Sequence, residues 1–375
     1  MGDDGPVPAA GPSPRIAVAL AGDPTDPSAW SGTPAGLCSG LVAAGVEPVP
    51  VDARFPGEPR LLRLARLPWT AEATNPPIAA ANGAWGSLGL RRSGSLDGTI
   101  AIGSGYLLRS SVPIATYDDL TVAQGMRQPW SDVSKLGPRA AGRWRRRQGR
   151  IYRRCSACCV GSSWAGASVR EDYGIDPGKI HVVGHGRNFE PQPSERDWST
   201  PRFLFVGVEW ERKNGPAVLA AFSGLRDRHP GATLDVVGGH PPLDAAGVNG
   251  HGRLSLSSAA DREKLEGLFR RSTCLVLPSA FEAFGIAYVD AGAAGVPSIG
   301  TTEGGARDAI GDGGLLVAPG DPDALAAAMD RLADPDTARE LGERAFARSA
   351  LFTWQAVAER VLRALGVPDF DPVPA

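Results

Sequence analysis

The stretch that decides the fold is residues 273–290, which read TCLVLPSAFEAFGIAYVD. Its first five residues form an apolar run typical of a buried parallel strand, and residues 286–294 have the small side chains of a tightly packed helix. The loop between them carries one acid, Glu282. In open parallel sheets, ligands bind beyond the carboxyl ends of the strands, where helix N-termini present unpaired amides. This strand-loop-helix unit therefore predicts a site for a polyhydroxylated or anionic ligand.

The same kind of unit recurs on both sides of this stretch. Short apolar strands alternate with helices of amphipathic spacing, which is typical of doubly wound parallel α/β sheets. The strands are predicted at residues 15–20, 47–51, 99–102, 112–116, 157–160, 201–206, 232–237, 254–256, 274–277, 296–299 and 315–317. Residues 53–98 are rich in Gly, Pro and Ala and are predicted to be irregular.

The length of the chain favours more than one domain. A chain of 375 residues exceeds one ordinary core, so two domains are expected. Residues 1–14 are predicted to be a disordered tail, since they offer little to bury. Residues 15–190 form the predicted N-terminal domain and residues 201–353 the C-terminal domain, joined by a proline-rich linker at about 186–200.

The composition narrows the class of protein. At 42% hydrophobic and 21% charged residues it is typical of a soluble globular protein, and a net charge of -2 does not favour nucleic acid as a partner. Five cysteines, an odd number, imply no disulfide framework, and the N-terminal MGDDGP lacks the basic and then apolar order of a signal peptide. No apolar run approaches the ~20 residues of a membrane span. A cytoplasmic location is the simplest prediction.

The cysteines at 155, 158 and 159 invite a metal or redox interpretation. We reject it because they run into the strand at 157–160 and no second pair of ligands lies at zinc spacing. No metal site is predicted.

Two adjacent cations, Arg212 and Lys213, follow the strand predicted to end at Val206 and precede a helix. Charge neutralisation and backbone donors at a strand's carboxyl end are what a diphosphate needs. The alternative, a solvated Arg-Lys pair in a loop, leaves this position unexplained.

The N-terminal half offers two weaker motifs. Gly32 and Thr33 precede a helix with proline in its first turn, which is a ready phosphate site, although a capped turn explains it equally well. Asp118 and Asp119 follow a predicted strand and place two carboxylates at the same edge of the sheet. An Asx-type turn accounts for one of these acids, and for two less well.

Residues 139–154 contain eight arginines. The run predicts a helix with a solvated basic face. Peripheral contact with anionic lipid, or with a phosphorylated acceptor, is the alternative function of this face.

Residues 282–305 carry a family resemblance. They read EAFGIAYVDAGAAGVPSIGTTEGG and resemble the Glu-x7-Glu signature of family 4 glycosyltransferases, with Asp290 in place of the second Glu. The likeness covers most of the chain and is strongest from about residue 155 to 360. It implies the GT-B fold, in which two Rossmann-like domains face each other across a cleft and the last helix, residues 354–365, crosses back to the N-terminal domain.

The resemblance also implies an activity. Its members transfer a sugar from a nucleotide-diphosphate donor with retention at the anomeric carbon, usually without a metal. The acceptor is a hydroxyl on a small molecule, a glycan or a lipid-linked sugar. No cofactor is implied beyond the nucleotide sugar as co-substrate, and the oligomeric state stays open.

Site roles follow from matching positions. The residues implied in catalysis are Glu282, Lys213, Arg212 and Asp119. Those implied in donor binding are Gly32, Thr33, Gly207, Arg212, Lys213, Gly252, Arg253, Glu282, Ala283, Phe284, Gly285, Ile286 and Asp290. In this assignment Lys213 contacts the phosphates, Glu282 the sugar hydroxyls and Asp290 the ribose.

Three departures from the family pattern keep other functions open. They are Asp290, Val208 where an arginine is usual, and the lack of a histidine near Asp119. They motivate the alternative of a non-catalytic sugar-nucleotide or glycan-binding protein on the same fold. A phosphorylase or a sugar-nucleotide isomerase is a third possibility.

Overall fold

The computed structural model describes residues 13–57, 75–190 and 195–368. Within these ranges the chain forms two parallel sheets of six strands each, flanked by helices. The predicted fold class, two doubly wound α/β units, is confirmed. The predicted tail, residues 1–14, lies outside the described residues except for its last two.

Both sheets have the strand order of a doubly wound fold. Strands β1 to β6 are Arg15–Leu20, Glu47–Asp52, Gly98–Ile102, Ile114–Asp118, Ala157–Val160 and Ile180–Val182, and they lie in the order β2-β1-β3-β4-β5-β6. Strands β7 to β12 are Arg202–Gly207, Thr233–Gly238, Val248–Gly252, Cys274–Val276, Ser298–Thr301 and Gly314–Val317, in the order β12-β11-β10-β7-β8-β9. The order reverses between β1 and β3 and again between β7 and β10. A ligand crevice is expected beyond the carboxyl ends of the strands at each reversal.

The helices mostly begin where a polar side chain caps them. In chain order, α1 to α12 are Thr33–Ala43, Pro76–Arg92, Val122–Arg127, Pro138–Arg154, Ser163–Tyr173, Gly215–Arg226, Ala259–Arg271, Ile286–Ala293, Ala306–Ile310, Pro322–Ala333, Pro335–Ser349 and Trp354–Leu365. Side chains that accept a backbone N–H at the first turn include Asn75, Thr121, Ser162, Ser258 and Thr353. Such a cap contributes about 1 kcal/mol.

Two local predictions are wrong. The strand expected at 254–256 is absent, and β9 lies earlier, at Val248–Gly252. Its polar and glycine-rich residues have little strand propensity, but pairing with β8 holds them in place. The segment predicted to be irregular contains α2, whose Ala- and Gly-rich sequence has no clear amphipathic period. Residues 58–74 of that segment lie outside the described residues.

The last helix, α12, packs on the first sheet. Its side chains Val357, Val361 and Leu362 are fully buried in the cluster that contains Ile16 and Val18 of β1. The predicted domain boundaries stay a prediction. In the part of the chain that the structure describes, no helix combines the length and the apolar character needed to cross a membrane.

Candidate active site

A cleft of about 1030 Å³ lies between the carboxyl edges of the two sheets. Both halves of the chain line it. Most residues predicted from the sequence are among the lining: Thr33, Asp119, Gly207, Arg212, Lys213, Arg253, Glu282, Ala283, Phe284, Gly285, Ile286 and Asp290. The sequence prediction therefore identified one contiguous surface, at the reversal between β7 and β10.

Two predicted residues, Gly32 and Gly252, are not part of the lining. Gly32 lies at the left-handed start of α1, with φ +87°, where its neighbours Ser31 and Thr33 face the cleft. The Gly252 amide donates to His240 Nε2 at 3.0 Å. Most residues other than glycine would be strained at the left-handed φ of Gly32, so glycine permits the turn that leads into α1.

Glu282 is the centre of the site. Its carboxylate accepts a hydrogen bond from Lys213 Nζ and one of 3.1 Å from Ser279 Oγ, and Arg212 Nη1 lies 3.9 Å away. Burial raises the energy of the charged form, but the two cations outweigh it and hold the pKa of Glu282 below its ordinary value. The side chain does not cap α8, because the cap position is Gly285 and no side chain bonds there. Glu282 is therefore an ionised, buried carboxylate aimed at two cations.

Lys213 reaches Glu282 through a tight turn after β7. Asn214 is left-handed, with φ +61°, and the Gly215 amide donates to the Trp210 carbonyl at 3.0 Å. A Cβ on Gly207 would lie 2.8 Å from Lys213 Cγ, so glycine there lets the lysine chain lie across the end of β7. Gly207 thus acts through packing.

Arg212 is held from three sides. It donates to the Phe281 carbonyl at 3.1 Å and to Glu209 Oε2 at 2.6 Å, and its guanidinium lies over the Phe281 ring. Val208, at the position of the family arginine, lines the cleft without charge. Arg212 is therefore the second cation at this end of β7.

The loop of Glu282 depends on two glycines at the end of β11. The Gly305 amide donates to the Glu282 carbonyl at 2.7 Å, and the Glu282 amide donates to the Glu303 carbonyl at 3.1 Å. A Cβ on Gly304 would lie 2.0 Å from the Glu282 carbonyl oxygen. Gly304 and Gly305 therefore let two backbone segments approach each other.

The two acids after β4 have different environments. Asp118 is the last residue of the strand and is buried away from the cleft, where it accepts bonds from Ser104 Oγ at 2.7 Å and Tyr152 OH at 3.2 Å. Asp119 lines the cleft, and burial, with the nearby charge of Glu282 adding to it, raises its pKa to about 6. Only Asp119 is therefore available to a ligand.

Asp290 has a partner that the sequence did not reveal. Its carboxylate accepts a hydrogen bond from the backbone N–H of Asn188 at 2.7 Å and another from the side-chain Nδ2 of Asn188 at 3.2 Å. Burial raises the pKa of Asp290 to about 7. Asn188 lies in the segment that joins the two sheets, so Asp290 links that segment to α8.

His185 was missed by sequence reasoning. Its ring lines the cleft between Tyr117 and Phe284, with Nδ1 at 3.2 Å from Tyr117 OH and 3.4 Å from Thr33 Oγ1. Burial lowers the pKa of His185 to about 4, so the ring is neutral near pH 7. The signal available in the sequence was a histidine between two glycines, directly after a strand.

No group of three or more His, Cys, Asp or Glu side chains among the described residues is arranged to hold a metal ion. Next to Gly252, the Nε2 atom of His251 is hydrogen-bonded to Asp235 Oδ1 at 2.7 Å. Arg253 lines the cleft, as do the two residues that follow it, Leu254 and Ser255.

Part of the chain is similar in sequence to known proteins. Residues 200–334 match the family model of glycosyl transferases group 1. The chain is 32% identical over 218 residues to a D-inositol 3-phosphate glycosyltransferase of Frankia alni, covering 51% of this chain and 54% of that protein. It is 32% identical over 212 residues to a glycogen synthase of Mycobacterium tuberculosis, covering 51% and 49%. The chain thus spans about half the length of these curated relatives.

Solved structures resemble almost the whole fold. A sucrose-phosphate synthase from Thermosynechococcus elongatus superposes with a TM-score of 0.66 at 19% identity, covering 93% of this chain and 98% of that one. WaaG, a glycosyltransferase involved in lipopolysaccharide biosynthesis, gives 0.65 at 16% identity, covering 94% and 100%. These likenesses show the fold, and the match to the family model includes both Lys213 and Glu282.

Proposed function

We propose that the chain is a glycosyltransferase of the family 4 type, which transfers a sugar from a nucleotide-diphosphate donor to an acceptor hydroxyl with retention. The observation that carries the proposal is the convergence of Lys213 and Arg212 on Glu282 at the reversal between β7 and β10, facing Asp119 across the cleft. Retention and independence from metal rest on the resemblance.

The cations have the chemistry that a leaving diphosphate needs. Glycosyl transfer builds negative charge on the leaving phosphate while the sugar approaches an oxocarbenium ion. Lys213 and Arg212 are nearly buried, with side chains 12% and 14% exposed, so their field is poorly screened by water. Glu209, the exposed partner of Arg212, can move aside for a phosphate oxygen.

Glu282 and the start of α8 are suited to the sugar. An ionised carboxylate accepts strong hydrogen bonds from hydroxyls, and Lys213 and Ser279 fix its orientation. The cleft is also lined by Phe284, Gly285 and Ile286 at the N-terminus of α8, where amides are free to meet an anion or an oxygen. Asp119 would contact the sugar or acceptor from the opposite sheet.

The cytoplasm is the proposed location, and the five cysteines are free thiols in the structure. The names of the relatives suggest which acceptors to try first, namely D-inositol 3-phosphate and glycogen.

Thermal shift with a panel of nucleoside diphosphates and their sugars tests the donor site, and transfer assays with those acceptors test the activity. We expect stabilisation by at least one nucleoside diphosphate and donor-dependent product formation. Binding without turnover across a broad acceptor panel would favour the non-catalytic binding protein. If no nucleoside diphosphate or nucleotide sugar binds, the transferase and the sugar-nucleotide-binding protein are both wrong, and only the glycan-binding alternative is left.

A further inference from the structure

A second concavity of about 750 Å³ lies on the N-terminal half, between helices α2 and α4. Among the described residues that line it are seven arginines and no Asp or Glu: Arg91, Arg109, Arg143, Arg146, Arg147, Arg150 and Arg154. We refer to this surface as the arginine groove. It shares no lining residue with the cleft.

One wall of the groove is a single face of α4. Positions 143, 146, 147, 150 and 154 recur at the three- and four-residue steps that bring side chains together on a helix. Within the described residues, Arg143, Arg146, Arg150 and Arg154 form no ion pair, whereas Arg145, outside the groove, lies 4.0 Å from Asp172. Burial lowers the pKa of Arg147, and the charges of Arg150 and Arg143 lower it further. The arginines on this face therefore repel one another at rest.

The opposite wall is mostly apolar, and its charged residues among those that the structure describes, Arg91 and Arg109, are also cations. Its apolar part consists of small and aliphatic side chains of α2, including Ala79, Ala80, Ala84 and Leu88. Gly83 lets α2 approach the next loop closely, since a Cβ there would lie 2.5 Å from the Leu107 carbonyl oxygen. The groove thus combines the cationic face of α4 with a mostly apolar wall that ends in two further arginines.

We propose that the arginine groove is a second anion-binding site, for a soluble ligand that carries two or more clustered phosphate groups. Each guanidinium group can donate two parallel hydrogen bonds to phosphate oxygens, and a bound polyanion would relieve the repulsion between the arginines of α4. The volume falls in the range of small-ligand sites. Phosphates on a lipid headgroup have the same chemistry, but a concave site between two helices favours a ligand that enters it over a flat bilayer.

One loop connects the groove to the cleft. Arg147 Nη1 donates to the Gly105 carbonyl at 3.0 Å on the groove side. Two residues earlier, a Cβ on Gly103 would lie 3.1 Å from the ring of Trp30, which lines the cleft. A ligand in the groove would therefore lie one loop away from the cleft. The proposal is tested by binding and does not depend on the proposed transferase activity.

The test is calorimetric titration with inorganic pyrophosphate. It compares the wild type, a groove variant (Arg143→Ala, Arg146→Ala and Arg150→Ala together) and a flank variant (Arg92→Ala, Arg139→Ala and Arg153→Ala together). The flank arginines lie on the same two helices and change the charge equally, but none lines the groove. All six side chains are exposed, so both variants should keep the wild-type melting temperature.

Because the cleft is also proposed to bind a diphosphate, the titration is fitted to two sites. We expect the affinity of one site to fall at least about tenfold in the groove variant and less than about threefold in the flank variant. Equal losses in both variants, an unchanged groove variant, or no pyrophosphate binding by the wild type would overturn the proposal. A parallel arm measures sedimentation with phosphatidylglycerol and phosphatidylcholine vesicles. Groove-dependent binding to the anionic vesicles without pyrophosphate binding would assign the groove to a lipid surface and overturn the soluble ligand.

Discussion

The cleft and the arginine groove are both concave and both cationic, but they treat their charges in opposite ways. In the cleft Lys213 and Arg212 are nearly buried, and each has a carboxylate partner. In the groove most of the arginines are exposed, and the described lining contains no acid. A buried cation without a partner costs several kcal/mol, whereas water screens an exposed one. The charges of the cleft are therefore paired before a ligand binds, whereas those of the groove would be neutralised by the ligand.

Of the variants proposed, Lys213→Ala is expected to have the largest effect on ligand binding in the cleft. It removes a charge-assisted contact worth about 1.5 to 3 kcal/mol and leaves Glu282 with Arg212 as the nearby cation and Ser279 as a hydrogen-bond donor. Nucleoside diphosphate affinity should therefore fall by roughly tenfold to a hundredfold, with turnover falling too. Calorimetry on this variant and on Lys264→Ala, an exposed lysine of the same half, provides the measurement. Unchanged affinity for every nucleoside diphosphate would remove Lys213 from the site.

A second, smaller effect is expected for Glu282→Gln. The amide keeps the size of the side chain but loses the charge that orients sugar hydroxyls, so turnover should fall by about tenfold, or ~1.4 kcal/mol of transition-state stabilisation. Diphosphate affinity should change little, because both cations remain. Turnover, affinity and melting temperature are measured together, with the exposed Glu303→Gln as control. Full turnover in a folded Glu282→Gln protein would contradict the sugar-orienting role.

Salt should separate the two sites further. Between about 50 and 500 mM NaCl we expect pyrophosphate affinity of the groove, taken as the difference between wild type and groove variant, to fall by roughly tenfold. Nucleoside diphosphate affinity of the cleft should fall only about threefold, because its cations are shielded from mobile ions. Parallel salt dependences at the two sites would show that burial does not distinguish them.

The smallest effect concerns Asp290, a cleft acid whose carboxylate is hydrogen-bonded to Asn188. Since its pKa is raised to about 7 in the folded state, above the value near 3.9 expected when unfolded, the folded protein binds the extra proton. The resulting stability is fully present below about pH 4 and is lost as the pH rises to 7. Asp290→Asn should reduce the decline in Tm across this window by about 2 to 4 °C, whereas Asp336→Asn on the surface should not. An identical pH profile for Asp290→Asn and wild type would contradict this origin.

The sequence was most informative where one strand and the loop after it carry the signal. The apolar run before Glu282 and the cation pair after β7 could each be placed at a strand's carboxyl end, and parallel topology then brings them together. Their location was predictable for that reason, while their roles stay predictions. Asn188 bonding Asp290, and His185 beside Tyr117, depend on how the connecting segment crosses the cleft. Contacts of that kind leave no periodic trace in the chain.

Local propensity also misled where tertiary contacts decide. Strand β9 consists largely of residues that disfavour strands, and its position is held by β8 and by bonds from Asn249 and His251 to Asp235. Helix α2 has too few large apolar residues to show a helical period in the sequence. Its contacts are instead made by small residues, since Gly83 and Gly86 pack directly against neighbouring atoms. Small-residue packing of this kind is visible only in the folded chain.

The packing of α12 on the first sheet has a consequence for folding during synthesis. Side chains of α12 complete the core around β1, and Trp354 lies where side chains on Gly36 and Gly186 would otherwise project. During translation β1 is synthesised long before α12, because the whole second sheet lies between them in the chain. Until α12 is synthesised, part of the apolar core of the first sheet stays exposed. Among the described residues, the core cluster of the second sheet contains none before Phe189. We therefore expect the second sheet to fold first, although it is made after the first.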